Sequence, residues 1–409
     1  MKLHVSILTF VLALVCVQLV EADHLRTSKE APIRADSLSS SDIIERIAPG
    51  TLLELVDETR LFGTGYWKIK LPTGGTGYVY KTHVRLIDGD FPGNSSPGTP
   101  GNTEALGELQ VHVINVGQAD AILVICPDGD HQLVIDSGDL NMGVRYPGSV
   151  TEFKNYLNAY VNSSDQIEVA VASHPHSDHI AGMKWLLQTY AIGTYVDNGK
   201  TYDSGTFRSL EATIIDNGIN RKRLTDAAIP DIDFCTRADV TATILRPNGF
   251  NDPGMDPNDY SVIVRVEYGS SSFLFTGDAE HAMEDRLLAD NTTRPYLDVD
   301  WLKVGHHGSH SSTGSEFIKA VSPDIAAISS GGEFLATNKG YKHPRQKTID
   351  TLFAYVGDRN GIQTTLEGYS IATGEWVQSI TKKAVYITNN EGDLVFFSDG
   401  SEIWRRGDR

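Results

Sequence analysis

The sequence predicts an α/β protein, a large sandwich of two sheets with helices outside, preceded by a small all-β barrel. Three observations carry this. Residues 107–402 alternate strand-like and helix-like patterns. Residues 29–88 hold short period-two runs broken by glycine-containing turns. Between them, over about 89–106, the stretch DFPGNSSPGTPGNTEA is rich in Gly, Pro, Ser and Asn and nearly free of large apolar residues, the composition of a flexible linker.

The chain opens MKLHVSILTFVLALVCVQLVEA. A lysine near the start, an apolar stretch and Val20-Glu21-Ala22 follow the order of a secretory signal peptide cut after Ala22, so residues 1–22 are expected to leave the mature chain. The alternative, a membrane anchor, needs a longer apolar core and a basic stop-transfer cluster. The expectation is a secreted protein with no membrane segment in its mature form. Cys126 and Cys235 then remain, too few for a disulfide scaffold, and whether they pair is open. Asn94, Asn162 and Asn291 begin glycosylation-type triplets. With 409 residues the chain is long for one domain, and its net charge of −18 argues against broad, non-specific binding to nucleic acid or anionic membrane.

In the small module the runs IIERIAPGTLLELVDE and GYWKIKLPTGGTGYVYKTHVRLI alternate with turns. The order IAPGT, WKI, GGTGYV, around Gly50, Trp67, Gly77, Tyr78 and Val79, resembles a bacterial-type SH3 (SH3b) domain. That resemblance implies a cell-wall or glycan ligand; the other reading is an accessory barrel that only packs on its neighbour.

The large module begins with strands LQVHVINV, DAILVIC and HQLVIDSG in close succession. The amphipathic helix SVTEFKNYLNAYV, the buried strand IEVAVAS and the helix AGMKWLLQTYA follow. Strands ATILRP, SVIVRVEYG and SSFLFTG, helix AEHAMEDRLLAD, strand DWLKVG, helix SEFIKAV, strand DIAAISS and helix RQKTIDTLFAYV complete the order.

Between the strand IEVAVAS and its helix stands His174-Pro175-His176-Ser177-Asp178-His179. Two imidazoles two residues apart on an extended loop can face one ion, and Asp178 and His179 a neighbouring one; imidazole with carboxylate suits Zn, Mn or Fe. Asp278 in FLFTGDAE, His306, His307 and His310 in LKVGHHGSHSS, and His343 in YKHPR also stand at strand or loop ends, where open α/β sheets place their sites. Histidines satisfied inside a core would not collect there.

The motifs H-P-H-S-D-H, F-T-G-D, G-H-H-G-S and H-P, with VINVGQADAILV and LVIDSG, resemble the metallo-β-lactamase fold superfamily, an αββα sandwich. Within it they are most similar to the hydrolase domain of the DNA-uptake competence proteins (ComEC-type). Ala119 stands where that branch usually has glycine, and Asp136 fills its aspartate position. The resemblance implies two divalent metal ions, Zn or Mn. His174 and His176 would hold the first, Asp178 and His179 the second; Asp278 would bridge and His343 close site two. His306 and His307 would lie near the reacting group. A further histidine that many superfamily members have roughly twenty to twenty-five residues before the bridging aspartate is missing, and Asn258 in PNDYS stands at about that distance. An amide oxygen there favours a harder ion such as Mn²⁺.

The implied chemistry is metal-assisted hydrolysis, with Asp178 orienting or deprotonating the water and an imidazole of the His306/His307 pair serving the oxyanion or leaving group. Ser309 offers a further hydrogen bond or is a turn residue. The branch implies a phosphodiester substrate, DNA among the candidates, and hence a phosphodiesterase or nuclease. The basic clusters Arg221-Lys222-Arg223 and Lys342, Arg345, Lys347 could guide a strand. Phosphorylcholine esterase activity on wall polymers, lactonase or β-lactamase activity, and a non-catalytic wall-binding protein are the other readings.

Overall fold

The structure is a computed structural model. It describes residues 107–140, 149–226, 231–332, 338–358 and 363–406, and before them 24–27, 31–35, 43–47, 52–54, 66–71, 75–80 and 84–87. The expected signal peptide, the linker and Asn94 lie outside the described residues. The chain divides into two compact units, Met1–Asn94 and Ser95–Arg409.

In the first unit, Leu52–Glu54, His24–Thr27 and Val84–Ile87 form a three-stranded sheet. Ile43–Ile47, Ala31–Arg34, Thr76–Tyr80 and Tyr66–Lys70 form a four-stranded one. Ile33, Ile47, Leu53, Ile69 and Val79 form a buried apolar cluster in this unit.

The second unit has the metallo-β-lactamase fold: two mixed sheets packed face to face with helices on the outer sides. One sheet runs Arg221–Arg223, Ala191–Asp197, Gln166–Ala172, Gln132–Ser137, Ala121–Ile125, Leu109–Val113, Leu394–Ser398, Ile403–Arg405. The other runs Val240–Leu245, Ile263–Tyr268, Ser271–Phe275, Trp301–Lys303, Ile325–Ile328, Ala384–Ile387. Leu109, Val111, Val124, Phe273, Phe275, Trp301 and Phe396 belong to one buried cluster between the sheets. The outer face of the first sheet buries Leu123, Val134 and Ala170 against Phe153 and Leu157 of the helix Ser149–Tyr160 and Met183 and Leu186 of the helix Met183–Thr189. Strands buried on both faces read as continuous apolar runs, which is why AILVI and QLVI carry no alternation.

Gln132–Ser137 pairs in parallel with Gln166–Ala172, and Ser271–Phe275 with Trp301–Lys303, so the carboxyl ends of these strands point the same way within each sheet. Cys126 and Cys235 are disulfide-bonded, their Cα atoms 5.5 Å apart, which answers what the sequence left open. No helix among the described residues is long and apolar enough to cross a membrane.

Candidate metal centre

Both sheets deliver ligand-type side chains to one place. Gln166–Ala172 runs out into Ser173, His174 and His176, and the short helix Ser177–Ile180 carries Asp178 and His179. From the other sheet, Ser271–Phe275 leads to Asp278 and Trp301–Lys303 to His306 and His307. Gly277 makes the junction. Its φ is +52°, and a Cβ there would lie 2.8 Å from Ser173 Cβ, so only glycine allows the Asp278 turn this close to His174. His306 and His307 also have positive φ, 46° and 51°, a conformation that non-glycine residues hold only when the surroundings enforce it.

The result is one carboxylate surrounded by imidazoles. Asp278 Oδ2 lies 3.2 Å from His179 Nε2, 3.4 Å from His307 Nε2, 3.7 Å from His306 Nε2 and 4.0 Å from His174 Nε2. Asp178 Oδ2 lies 3.5 Å from His307 Nε2 and 3.9 Å from His179 Nε2. His176 joins through His174, Nδ1 to Nε2 at 3.0 Å. Donor atoms of Asp178, His179, Asp278 and His307 gather within 4.8 Å of one another.

The outward nitrogens of the central imidazoles are held. His179 Nδ1 donates to Asp136 Oδ2 at 2.7 Å, and Asp136 is itself fixed by the Ser173 N–H and hydroxyl. His306 Nδ1 donates to Glu280 Oε1 at 2.9 Å, and Ser311 Oγ donates to the same oxygen. His307 Nδ1 donates to the Ser329 carbonyl at 3.0 Å and sits 3.3 Å from Asp120 Oδ1, whose other oxygen takes the ammonium of buried Lys303 at 2.6 Å. Each ring thus turns its Nε2 inward, the arrangement that orients metal-ligating histidines. His343 is arranged the other way. Gln118 Oε1 accepts from the Gly331 N–H and the Ser330 hydroxyl, which leaves its amide Nε2 to face His343 Nδ1 at 3.4 Å. A neutral His343 that accepts at Nδ1 carries its proton on Nε2. His343 also stands outside the four-donor group, its ring 5.3 Å from that of His306.

A divalent cation fits this donor set. His179 Nε2, His307 Nε2, Asp278 Oδ1 and Asn258 Oδ1 are buried without a hydrogen-bond partner among the described residues, a costly condition that a cation would relieve. Electrostatics agree. Burial works to raise the Asp278 carboxyl, but His307, His179 and His306 outweigh it and hold the group well below the usual carboxylate range. Burial works to lower His179 and His307, and there the carboxylates win: Asp278, Asp136 and Asp178 raise His179, while Asp278 and Asp120 raise His307. In the metal-free chain, protons neutralise acids that a cation would otherwise neutralise. His174 and His343 stay uncharged. Burial pushes both down, reinforced by His179 for His174, and by His306 and His307 for His343, which falls to about 2.

Among the other predicted residues, Asn258 reaches the site through its amide nitrogen, 3.4 Å from Glu280 Oε1. Ser309 is a turn residue whose hydroxyl pairs with that of Ser311. Arg221 is taken up by Asp197 at 2.6 Å and Glu211 at 2.8 Å, which removes it from any strand-guiding cluster. Glu280, Lys303 and Gln118 also serve the site, although no motif marks them as site residues. Lys303 had a signal, a lysine inside the apolar strand DWLKVG, because a buried ammonium needs a partner.

Residues 114–332 match the Metallo-beta-lactamase superfamily. ComE operon protein 3 of Bacillus subtilis is 28% identical over 256 residues, which cover 60% of this chain and 30% of the relative. Recombination protein 2 of Haemophilus influenzae is 28% identical over 249 residues, covering 60% of this chain and 26% of its own. The chain therefore spans less than a third of the length of these relatives. Among solved structures, the metallo-beta-lactamase fold protein YhfI from Bacillus subtilis matches over 72% of this chain and 99% of its own, with 14% identity and a TM-score of 0.38.

Proposed function

The chain belongs to the metallo-beta-lactamase superfamily, and from that premise we propose that it is a two-metal hydrolase of phosphodiesters acting outside the reducing cytoplasm. The observation that carries the metal-dependent part is Asp278 Oδ2 within 4.0 Å of four imidazole nitrogens, with unpartnered buried donor atoms around it. His174, His176 and Asn258 would hold one ion, Asp178, His179 and His307 the other, and Asp278 would bridge. Bound divalent ions would supply an acidified water and neutralise charge on the attacked group.

The chain's own residues do the rest. Asp178, about a quarter exposed, faces the open side and can orient the attacking water or accept its proton. Glu280 fixes the Nδ1–H tautomer of His306, which leaves His306 Nε2 a lone pair to bind or to accept a proton. His343, uncharged and with its N–H on Nε2, can donate a hydrogen bond to the leaving oxygen, whose proton must come from elsewhere. Relatives named for competence and recombination support a phosphodiester over a lactone or β-lactam. The Cys126–Cys235 bridge supports secretion, because disulfides persist in oxidising compartments. A wall- or glycan-binding role for the first unit is part of the same proposal.

The test is metal content with hydrolysis of bis-p-nitrophenyl phosphate, on wild type and His176→Ala. About two ions per chain and metal-dependent cleavage, both reduced in the variant, are expected. A folded, metal-loaded chain that opens lactones or β-lactams but leaves the phosphodiester intact would refute the proposal.

A further inference from the structure

Two exposed tyrosines pack against histidines of the metal centre. Tyr202 is 36% exposed and packs edge-on against His176, ring centres 4.8 Å apart. Tyr341 is 57% exposed and lies tilted over His343, ring centres 6.0 Å apart. Only four tyrosines among the described residues are this exposed, and two of the four sit here. Neither is needed for the core, so packing gives no reason for either.

Cations border Tyr341. Arg345 Nη2 donates to the Tyr341 carbonyl at 2.8 Å, and Lys342 lies over the Tyr369 ring, 4.2 Å from its centre. Both cations are engaged by these neighbours rather than by the Tyr341 ring, whose open face suits a flat, stacking group. The net charge of −18 adds a second condition, because a strand could not be gripped mainly through its phosphates. Base stacking is the handle such a protein has left, and a side chain reaches the face of a base only when that base is unpaired.

We propose that Tyr202 and Tyr341 form a stacking site for unpaired nucleobases flanking the scissile phosphodiester, which makes them specificity-determining residues for a single-stranded nucleic acid. This rests on the phosphodiesterase reading above and names its substrate class.

The full-length, metal-loaded chain is assayed on a short oligothymidylate, its abasic counterpart, a duplex of the same length and bis-p-nitrophenyl phosphate. Wild type should cleave the base-bearing strand with a KM about five- to a hundredfold below that of the abasic strand, the range that one stacking aromatic supplies, and should disfavour the duplex. That ratio should collapse toward one in Tyr202→Ala and Tyr341→Ala, and persist in Tyr341→Phe, which keeps the ring. Thermal melting separates a lost ratio from misfolding. Equal KM for base-bearing and abasic strands, or an undiminished ratio in both alanine variants, overturns the inference and leaves the phosphodiesterase reading standing. Cleavage of bis-p-nitrophenyl phosphate with neither strand cleaved does the same. Inactivity on every phosphodiester overturns both. A preference for p-nitrophenyl phosphorylcholine over the strand, lost in the same variants, would show that the tyrosines serve a different ligand and would overturn the inference.

Discussion

Lys303→Met should be among the most damaging single substitutions in the large unit, although it touches no candidate ligand. Lys303 and Asp120 are both buried, with side chains 0% and 1% exposed, and they meet at 2.6 Å. Burial works to raise the Asp120 carboxyl, but Lys303 first and His307 second hold it down at about 2, against an ordinary 3.8. That difference favours the carboxylate by roughly 2–3 kcal/mol. Removing the ammonium leaves the buried carboxylate with His307 as its main remaining charged partner, a loss of about 3–5 kcal/mol. With about 2.1 cal/mol/K of unfolding entropy per residue over roughly 300 residues, that is a fall in Tm of about 5–8 °C at pH 7.

The pH dependence gives a sharper check. A carboxyl whose folded pKa lies below its unfolded one contributes stability that is present above about pH 4 and lost as pH falls through about 2. The gap between wild type and Lys303→Met should therefore narrow on acidification from pH 6 toward pH 2–3. The companion variant Lys303→Met/Asp120→Leu removes both charges and should recover much of the lost stability. It should not recover activity, because His307 loses the carboxylate beside its Nδ1. Calorimetry across pH 2.5–7 reads both. A fall in Tm under about 2 °C for the single variant, or a double variant no more stable than the single, would refute the reasoning.

Metal binding should release about two protons per chain near neutral pH, because His179 and His307 are raised in the metal-free state and must deprotonate to bind; affinity should therefore rise with pH. Calorimetric titration with Zn²⁺ in buffers of different ionisation enthalpy measures this, and buffer-independent heats would contradict it. Gly277→Ala should cost about 1–2 kcal/mol from its left-handed backbone alone, more from the contact with Ser173, and should lower metal content together with Tm. Glu280→Gln should lower metal affinity or kcat about 10- to 100-fold while leaving Tm nearly unchanged; an unaltered enzyme would show that His306 needs no fixed tautomer. Reducing Cys126–Cys235, which closes a 109-residue separation, should cost about 2–5 kcal/mol, read as a lower unfolding midpoint in dithiothreitol.

The parts of this fold that were legible are those whose information is local. His174 to Asp178 stand just past a seven-residue, mostly apolar strand, and Asp278 stands three residues past another strand. In such places the density of ligand-type side chains has no use in a core. The hairpin Thr364–Ser370 with Glu375–Thr381 went unread because it is half exposed and no apolar run marks it. The last strands of the first sheet went unread for a different reason. Leu394–Ser398 pairs with Leu109–Val113, nearly the whole unit away along the chain, and nothing within either segment specifies the other.

The same distinction separates the ligands from what holds them. Asp120 and Lys303 are 183 residues apart, Asp136 and His179 are 43 apart, and Gln118 is 225 residues from His343. Read alone, Glu280 looks like a helix-start acid, Lys303 like an odd residue in a strand, and Gln118 like a loop amide. Each acquires a role only when the two sheets close on one another and set its partners. Hydrophobic periodicity reports the average burial of an element, so it brings the sheets together correctly. It carries no information about which buried polar atom will face which across the gap. Those pairings raise His179 and His307 and fix the tautomers of His306 and His343. A sequence motif can therefore announce where a metal would bind, while the protonation states that determine its chemistry are set by contacts that exist only after folding.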